Sequence, residues 1–329
     1  MALVNQSVTH KVFGAGNVTS FDGKSSQQVG SCGVCISPCA CNVKEPMAVE
    51  FDNQIIVNTN SYHGYSIEDA IKGISDAGFK YVELTATENW TEHIFRDQKF
   101  SRLCDVKDML HDAGLTAIAM SGHTNLMDDA RAADFIYNIK LAAFFDCQYI
   151  VSSIGEAHIE DHAVASNEVV AEKIKKFLPY LEQYNMMLVL EVHGDHNSAA
   201  ILKEICDLTG SERVKINYDT ANAIYWGGMN NEELLKDFEE NIDSIQYIHI
   251  KDKLGAKNEW NFPALGKGYV PFEKIFEILK DKNKNCPLSI EIEFTSDGAE
   301  NLEAVNKAIE ESANYLKMKK FDVKRGIDR

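Results

Sequence analysis

The sequence predicts an α/β fold, a (β/α)8 TIM barrel with a small β-rich appendage at its amino terminus. Strand-like and helix-like segments alternate eight times from about residue 54 onward. The strand-like segments are nearly continuous runs of Val, Ile, Leu and Tyr, as expected for parallel strands that are buried on both faces. Eight uninterrupted units favour a closed barrel over an open doubly wound sheet. No Gly-x-Gly-x-x-Gly follows the first strand, so nothing indicates a dinucleotide-binding fold.

The predicted elements follow one another in strict order. The strands are Gln54–Asn60, Lys80–Thr85, Leu115–Ser121, Gln148–Ser153, Met187–Val192, Val214–Asp219, Ser244–His249 and Pro287–Glu293. The helices are Ser66–Ala77, Phe100–Ala113, Asp129–Phe145, Asn167–Tyr184, Ser198–Leu208, Asn231–Asn241, Phe272–Leu279 and Ala299–Leu316. Ser66 begins a sequence close to a capping box, and Gly78 and Gly114 stand where a left-handed residue ends a helix. These signals place the helices between the strands.

Three regions are predicted along the chain: an appendage over residues 1–53, the barrel over 54–317 and a basic tail over 318–329. The appendage holds two short strand-like segments around a loop rich in Gly, Ser and Cys. Four cysteines lie within ten residues of that loop: Cys32, Cys35, Cys39 and Cys41. The first pair has the spacing of a zinc knuckle, but the spacings that follow are unusual for zinc. We therefore favour free thiols there over a structural metal.

Charge and hydropathy exclude several classes of function. The net charge of −17 argues against nucleic acid, because phosphate backbones are bound by a surplus of Lys and Arg. The first ten residues lack the charged and apolar regions of a secretory signal. No apolar run approaches the ~18 residues that a membrane span requires. The sequence therefore predicts a cytoplasmic protein that contacts neither membrane nor nucleic acid.

Each of the last four predicted strands is apolar until it reaches one ionisable residue near its carboxyl end. These residues are Glu191, Asp219, His249 and Glu291. In a (β/α)8 barrel the carboxyl ends of the strands meet at one face, so the four side chains should converge there. Burying three carboxylates and an imidazole is costly unless a cation compensates them. Such a hard, oxygen-rich set suits Mn²⁺ or Mg²⁺. Glu293 shares a strand face with Glu291, but Glu291 lies deeper and is preferred as the ligand.

The same strand ends carry a resemblance to a known family. The segments LEVHGD, NYDTAN, YIHIKD and LSIEIEF, over about residues 54–317, resemble the metal-binding strand ends of the xylose isomerase-like barrels, the sugar phosphate isomerase/epimerase superfamily. The segment Ala264–Phe272 resembles the family's Gly-x-Gly loop. The resemblance implies a divalent ion at the four strand ends, Mn²⁺ first, with Mg²⁺, Co²⁺ or Zn²⁺ as alternatives. In the epimerase branch, the two ligand glutamates also form the acid/base pair. Where some epimerases have a histidine, this chain has Asn222.

The chemistry that the resemblance implies is proton abstraction next to a carbonyl of a sugar. Besides Glu191 and Glu291, the candidate catalytic groups are His158 and His193, which follow predicted strands four and five. His123, after strand three, is a third candidate base. The candidate substrate-binding residues are His123, Glu156, Asn222, Lys251, Trp226 and Tyr62. Each follows the carboxyl end of a predicted strand.

Two enzymatic functions remain open at this stage. The first is a sugar isomerase or epimerase that acts on a keto sugar. The second is a lyase, because the chain also resembles the catalytic alpha subunit of C-glycoside-deglycosylating enzymes, which act on 3-oxo-glycosides with a small β-rich partner subunit. The appendage raises this second interpretation; a homo-oligomer is the other assembly considered. A third relative, DNA repair of the endonuclease IV type, is disfavoured by the acidic charge.

Overall fold

The computed structural model describes residues 51–155 and 165–324, and its centre is a closed parallel barrel. The barrel strands are β1 (Ile55–Asn58), β2 (Tyr81–Thr85), β3 (Thr116–Ser121), β4 (Tyr149–Ser152), β5 (Met187–Glu191), β6 (Val214–Asp219), β7 (Ile245–Ile250) and β9 (Leu288–Ile290). Each pairs in parallel with its neighbour, and β9 closes the ring against β1. The predicted (β/α)8 TIM barrel is confirmed. Two short strands, β8 (Asn261–Phe262) and β10 (Phe294–Thr295), form an antiparallel pair outside it.

Helices cover the outside of the barrel. They are α1 (Ile67–Asp76), α2 (Phe100–Asp112), α3 (Ala132–Phe144), α4 (Asn167–Lys175), α5 (Leu178–Gln183), α6 (Ala199–Thr209), α7 (Asn222–Tyr225), α8 (Asn231–Glu240), α9 (Phe272–Asp281) and α10 (Leu302–Met318). The capping box at Ser66 is present and is completed by Asp69. The predicted helix over Asn167–Tyr184 is wrong in one respect, because it is interrupted between α4 and α5. Pro179 causes the break, since proline has no N–H to donate and its ring clashes with the carbonyl four residues earlier.

The strand register places two of the metal-ligand candidates side by side. Asp219 on β6 pairs with His249 on β7, and His249 pairs with Ser289 on β9. Strand β9 ends at Ile290, earlier than predicted, so Glu291 follows the strand. The register between β2 and β3 shifts at Val82/Glu83, and a bulge of this kind often re-aims a side chain near a functional site.

Two apolar layers hold the barrel together. Inside it, a small cluster includes Ile56, Val189 and Tyr247. The larger cluster fills the space between strands and helices. The residues that flank the barrel on either side pack against each other: Phe51 stacks on Phe321 with ring centroids 4.2 Å apart. Within the described residues, no helix is both long and apolar enough to cross a bilayer. The cysteine-rich loop and most of the predicted appendage lie outside the described residues.

Candidate metal centre

The four predicted ligands converge at the carboxyl end of the barrel. Glu191, Asp219, His249 and Glu291 each offer one ligand atom, and these atoms lie within 4.8 Å of one another. His249 Nδ1 faces the three carboxylates: it lies 3.5 Å from Glu191 Oε2, 3.5 Å from Glu291 Oε2 and 3.8 Å from Asp219 Oδ2. All four residues are buried. Their arrangement would fit one cation.

The hydrogen bonding of these residues fits a cation at their centre. Glu191 Oε2, Asp219 Oδ2 and His249 Nδ1 are buried and accept no hydrogen bond among the described residues. Buried polar atoms without partners are costly, and they are rare unless a water or an ion contacts them. The remaining ligand oxygens are held in place: Glu191 Oε1 accepts from the Asn222 amide at 2.9 Å, and Asp219 Oδ1 accepts from the Asn222 backbone N–H at 2.8 Å. The orphaned atoms therefore face one another and are free to coordinate.

The electrostatics of the site also favour a cation. Burial by itself lowers the pKa of the His249 imidazole, but Glu83 and the ligand carboxylates outweigh that effect and hold the pKa well above its usual value. Burial raises the pKa of Asp219, since its carboxylate is removed from water among other acids. Both shifts express an excess of negative charge. A divalent ion would neutralise that excess without protonating the ligands.

Lys251 is the one buried ammonium group near the ligands within the described residues. Its Nζ lies 3.0 Å from Glu291 Oε2 and 2.5 Å from Glu293 Oε2. Burial alone lowers the pKa of Lys251, but Glu291 and Glu293 outweigh it and raise the pKa well above normal. Burial raises the pKa of Glu293 to about 7, against the opposing effect of Lys251. Lys251 therefore contacts both carboxylates, and Glu291 also belongs to the group of four candidate ligands.

Two histidines lie beside Glu191. His123 Nε2 is 3.2 Å from Glu191 Oε2, and His123 Nδ1 accepts from the backbone N–H of Ser153 at 3.0 Å. His193 lies between His123 and Trp226, with ring centroids 6.3 Å and 5.0 Å away. Burial lowers the pKa of His193 to about 4, so its ring is neutral at pH 7. Both rings line the cavity with Glu191.

A small cavity of about 20 Å³ lies in front of the ligands. All three tryptophans of the chain, Trp90, Trp226 and Trp260, line it. Trp90 and Trp260 contact each other edge-on at 5.9 Å. Aromatic faces beside charged groups suit a ligand with both C–H and hydroxyl surfaces.

Asn60 connects Trp90, which lines the cavity, with the carboxylates of Glu291 and Glu293. Its amide nitrogen donates to Glu291 Oε1 at 3.1 Å and to Glu293 Oε1 at 2.9 Å. Its oxygen accepts from the Trp90 indole at 3.0 Å and from the Thr91 hydroxyl at 2.6 Å. All four hydrogen-bonding positions of the amide are used, so its orientation is fixed. Sequence reasoning missed both Asn60 and Trp90, although each follows the end of a strand.

Most of the other predicted site residues within the described residues line the cavity, and Tyr62 does not. Asn222, Lys251 and Trp226 line it together with His123 and His193. Tyr62 does not: it is fully buried, and its hydroxyl donates to Asn306 Oδ1 on α10 at 2.9 Å. The reason is that a 3₁₀ turn over Thr59–Tyr62 follows β1 and turns this side chain toward the helices.

His158 and Glu156 lie outside the described residues, so their predicted roles stay predictions.

A third missed residue lies beneath the ligands. Glu83 on β2 is completely buried, and both of its oxygens lie within hydrogen-bonding distance of His249 Nε2, at 3.1 and 3.0 Å. A carboxylate in the middle of the apolar segment Tyr81–Thr85 was the available signal. Sequence reasoning passed over it because it does not stand at a strand end.

The comparisons with known proteins agree with this architecture. A family model described as "Xylose isomerase-like TIM barrel" matches residues 71–318. A search of the curated proteins found no match.

Three solved structures show the same fold. D-allulose 3-epimerase from Methylomonas sp. is 18% identical with a TM-score of 0.63, over 83% of this chain and 99% of that one. D-psicose 3-epimerase from Clostridium cellulolyticum H10, solved with D-tagatose, is 13% identical with a TM-score of 0.65, over 82% and 100%. 3-keto-D-glucoside 4-epimerase from E. coli is 17% identical with a TM-score of 0.61, over 81% and 99%. At these identities the likeness establishes the fold and leaves the reaction to the site itself.

Proposed function

The chain belongs to the xylose isomerase-like TIM barrel family, and from that premise we propose that it is a divalent-metal-dependent sugar isomerase or epimerase. It would move a proton next to the carbonyl of a keto sugar or a sugar conjugate. The observation that carries this proposal is the buried cluster of four ligand atoms within 4.8 Å of one another, three of them without a hydrogen-bond partner among the described residues. The structural neighbours include enzymes named as 3-epimerases of allulose, psicose and ribulose.

The ion we expect is Mn²⁺, because the ligands are three carboxylates and one imidazole and include no thiolate. Mg²⁺, Co²⁺ and Zn²⁺ are the alternatives. A divalent ion bound there would act as a Lewis acid toward the carbonyl oxygen and a neighbouring hydroxyl of the sugar. The residues that would hold it are Glu191, Asp219, His249 and Glu291.

Glu191 and Glu291 are the groups that would move the proton. One carboxylate takes the proton from the carbon next to the carbonyl, the C–H bond breaks, and its electron pair passes toward the carbonyl oxygen. The other glutamate, protonated as a carboxylic acid, gives its proton to the opposite face of that carbon and becomes a carboxylate, which inverts the configuration of the carbon. Amides orient both groups: Asn222 donates to Glu191, while Asn58 and Asn60 donate to Glu291.

The groups around the pair would bind and orient the sugar. Lys251 carries a buried positive charge within 3.0 Å of Glu291, which suits stabilisation of developing negative charge on a substrate oxygen. His123 and His193 offer ring nitrogens on the Glu191 side of the cavity, and Trp226 covers that side. The candidate base His158 and the candidate contact Glu156 complete the proposed substrate-binding set.

The test is an assay of the purified chain with Mn²⁺, a panel of keto sugars and 3-oxo-glycosides, and D2O as solvent. Epimerisation incorporates deuterium at a sugar carbon and leaves any aglycone attached. Glu191→Gln should abolish this exchange while the exposed Glu303→Gln keeps it. Full activity after exhaustive removal of divalent ions would contradict the metal-dependent proposal.

The lyase remains the second outcome of the same assay. Release of the aglycone from a 3-oxo-glycoside would identify C-glycoside deglycosylation in place of epimerisation. In that case we expect the chain to require a small β-rich partner subunit, which co-purification and sedimentation would detect. A fully active homo-oligomer would exclude the need for such a partner.

A further inference from the structure

We propose that Glu83 is a positioning residue of the metal centre, which holds His249 so that Nδ1, and not Nε2, is presented to the ion. This inference rests on the proposed function, since it concerns the same site. It concerns a residue one layer below the ligands, on a strand that contributes no ligand among the described residues.

The contact between the two side chains is symmetrical and completely buried. His249 Nε2 lies 3.1 Å from Glu83 Oε1 and 3.0 Å from Glu83 Oε2, and neither residue is exposed. A carboxylate can only accept, so Nε2 must carry a hydrogen. With a metal ion bound the imidazole must be neutral, and its lone pair then resides on Nδ1. That is the nitrogen that faces the three ligand carboxylates.

Glu83 is itself fixed by other donors. Its Oε2 accepts from the Tyr247 hydroxyl at 2.8 Å and from the Ser289 hydroxyl at 2.7 Å, and its Oε1 accepts from the Asn58 amide at 3.3 Å. The same Asn58 amide nitrogen donates to Glu291 Oε1 at 2.9 Å. The network therefore links two ligands, His249 and Glu291, through residues on different strands.

The backbone supports the same conclusion. Tyr81 lies in the cluster inside the barrel, whereas Val82 and Leu84 lie in the outer cluster, so the alternation of β2 directs Glu83 inward. A buried carboxylate needs compensation, and here His249 and three neutral donors supply it. Removing a group that hydrogen-bonds to the second nitrogen of a metal-bound histidine typically weakens metal binding by ~10–100-fold.

The experiment measures Mn²⁺ affinity by calorimetry for the wild type, Glu83→Ala, Glu83→Gln and Ser289→Ala. We expect Glu83→Ala to weaken binding by ~10–100-fold. Glu83→Gln keeps an acceptor oxygen and loses the charge, so its loss should be smaller. Ser289→Ala removes one of the three neutral donors to Glu83 but leaves the contact between Glu83 and His249, so it should weaken binding less than Glu83→Ala does.

A spectroscopic measurement keeps the inference testable if the alanine variant fails to fold. In wild-type protein with ¹⁵N-labelled histidine and bound Zn²⁺, a diamagnetic ion, His249 should retain a proton on Nε2 and coordinate through Nδ1. Coordination through Nε2 would overturn the inference, as would a folded Glu83→Ala variant with wild-type affinity or a Ser289→Ala loss equal to that of Glu83→Ala. A wild type that binds no divalent ion would instead refute the proposed function on which the inference depends.

Discussion

The substitution Asp252→Asn should release the loop that carries Trp260 over the cavity. Asp252 is buried and accepts four backbone N–H groups: Oδ2 binds Gly266 at 2.8 Å and Gly268 at 2.7 Å, while Oδ1 binds Lys253 at 2.8 Å and Val270 at 3.3 Å. An asparagine has one acceptor oxygen, and its nitrogen only donates. Whichever way the amide turns, two N–H groups lose their acceptor.

The size of the stability loss follows from the number of backbone N–H groups left without an acceptor. A backbone donor left without a partner costs ~1–3 kcal/mol, so two such donors predict a local loss of about 2–6 kcal/mol. The loop packs closely against Asp252, since a Cβ at Gly268 would lie 2.2 Å from Asp252 Oδ1. Lys253 holds the same loop from the other side, as its Nζ donates to the carbonyl of Glu259 at 2.7 Å. Trp260 follows Glu259 directly.

Hydrogen exchange across residues 253–270, together with urea unfolding, measures this effect. We expect the amides of Gly266 and Gly268 to exchange faster in Asp252→Asn, and KM for a sugar to rise more than kcat falls. The exposed Asp297→Asn serves as the control and should change stability by less than ~0.5 kcal/mol. Unchanged exchange at both glycines, with stability within that same margin, would refute the reasoning.

Three further predictions concern metal, packing and pH. A divalent ion at ~100 times its Kd should stabilise the fold by about 2.7 kcal/mol, seen as a lower Tm after chelation; an unaltered Tm would argue against the site. Tyr62→Phe should lower the free energy of unfolding by ~1 kcal/mol through the lost hydrogen bond to Asn306 and leave turnover intact. A large loss of turnover would indicate that Tyr62 acts in the cavity. Burial lowers the pKa of His93 to about 4, against ~6.5 when unfolded. The unfolded chain therefore binds more protons, and stability falls as pH drops from about 6.5 toward about 4. His93→Gln should flatten this part of the profile of urea midpoints against pH, and an unchanged slope would count against the assignment.

The convergence of the four candidate ligands could be predicted because a parallel barrel gathers the carboxyl ends of its strands. Each ligand stands where an apolar segment reaches an ionisable residue, so composition and order together were sufficient. The break before Pro179 could also have been predicted, since proline disrupts the helical hydrogen bond it cannot make. Tyr62 shows the limit of this reasoning, because its nearness to a strand end did not determine the direction of its side chain.

The sequence by itself determined the barrel and the level at which Glu191, Asp219, His249 and Glu291 meet, because strand periodicity and order are local properties. Only the tertiary structure decided which buried polar residues hydrogen-bond to these four side chains. Glu83 and His249 are 166 positions apart, and Asn60 and Glu291 are 231 apart. Pairs like these depend on the closure of the barrel and on which neighbour each buried polar atom finds. Such contacts are fixed by the three-dimensional positions of the strands and not by any pattern within one of them.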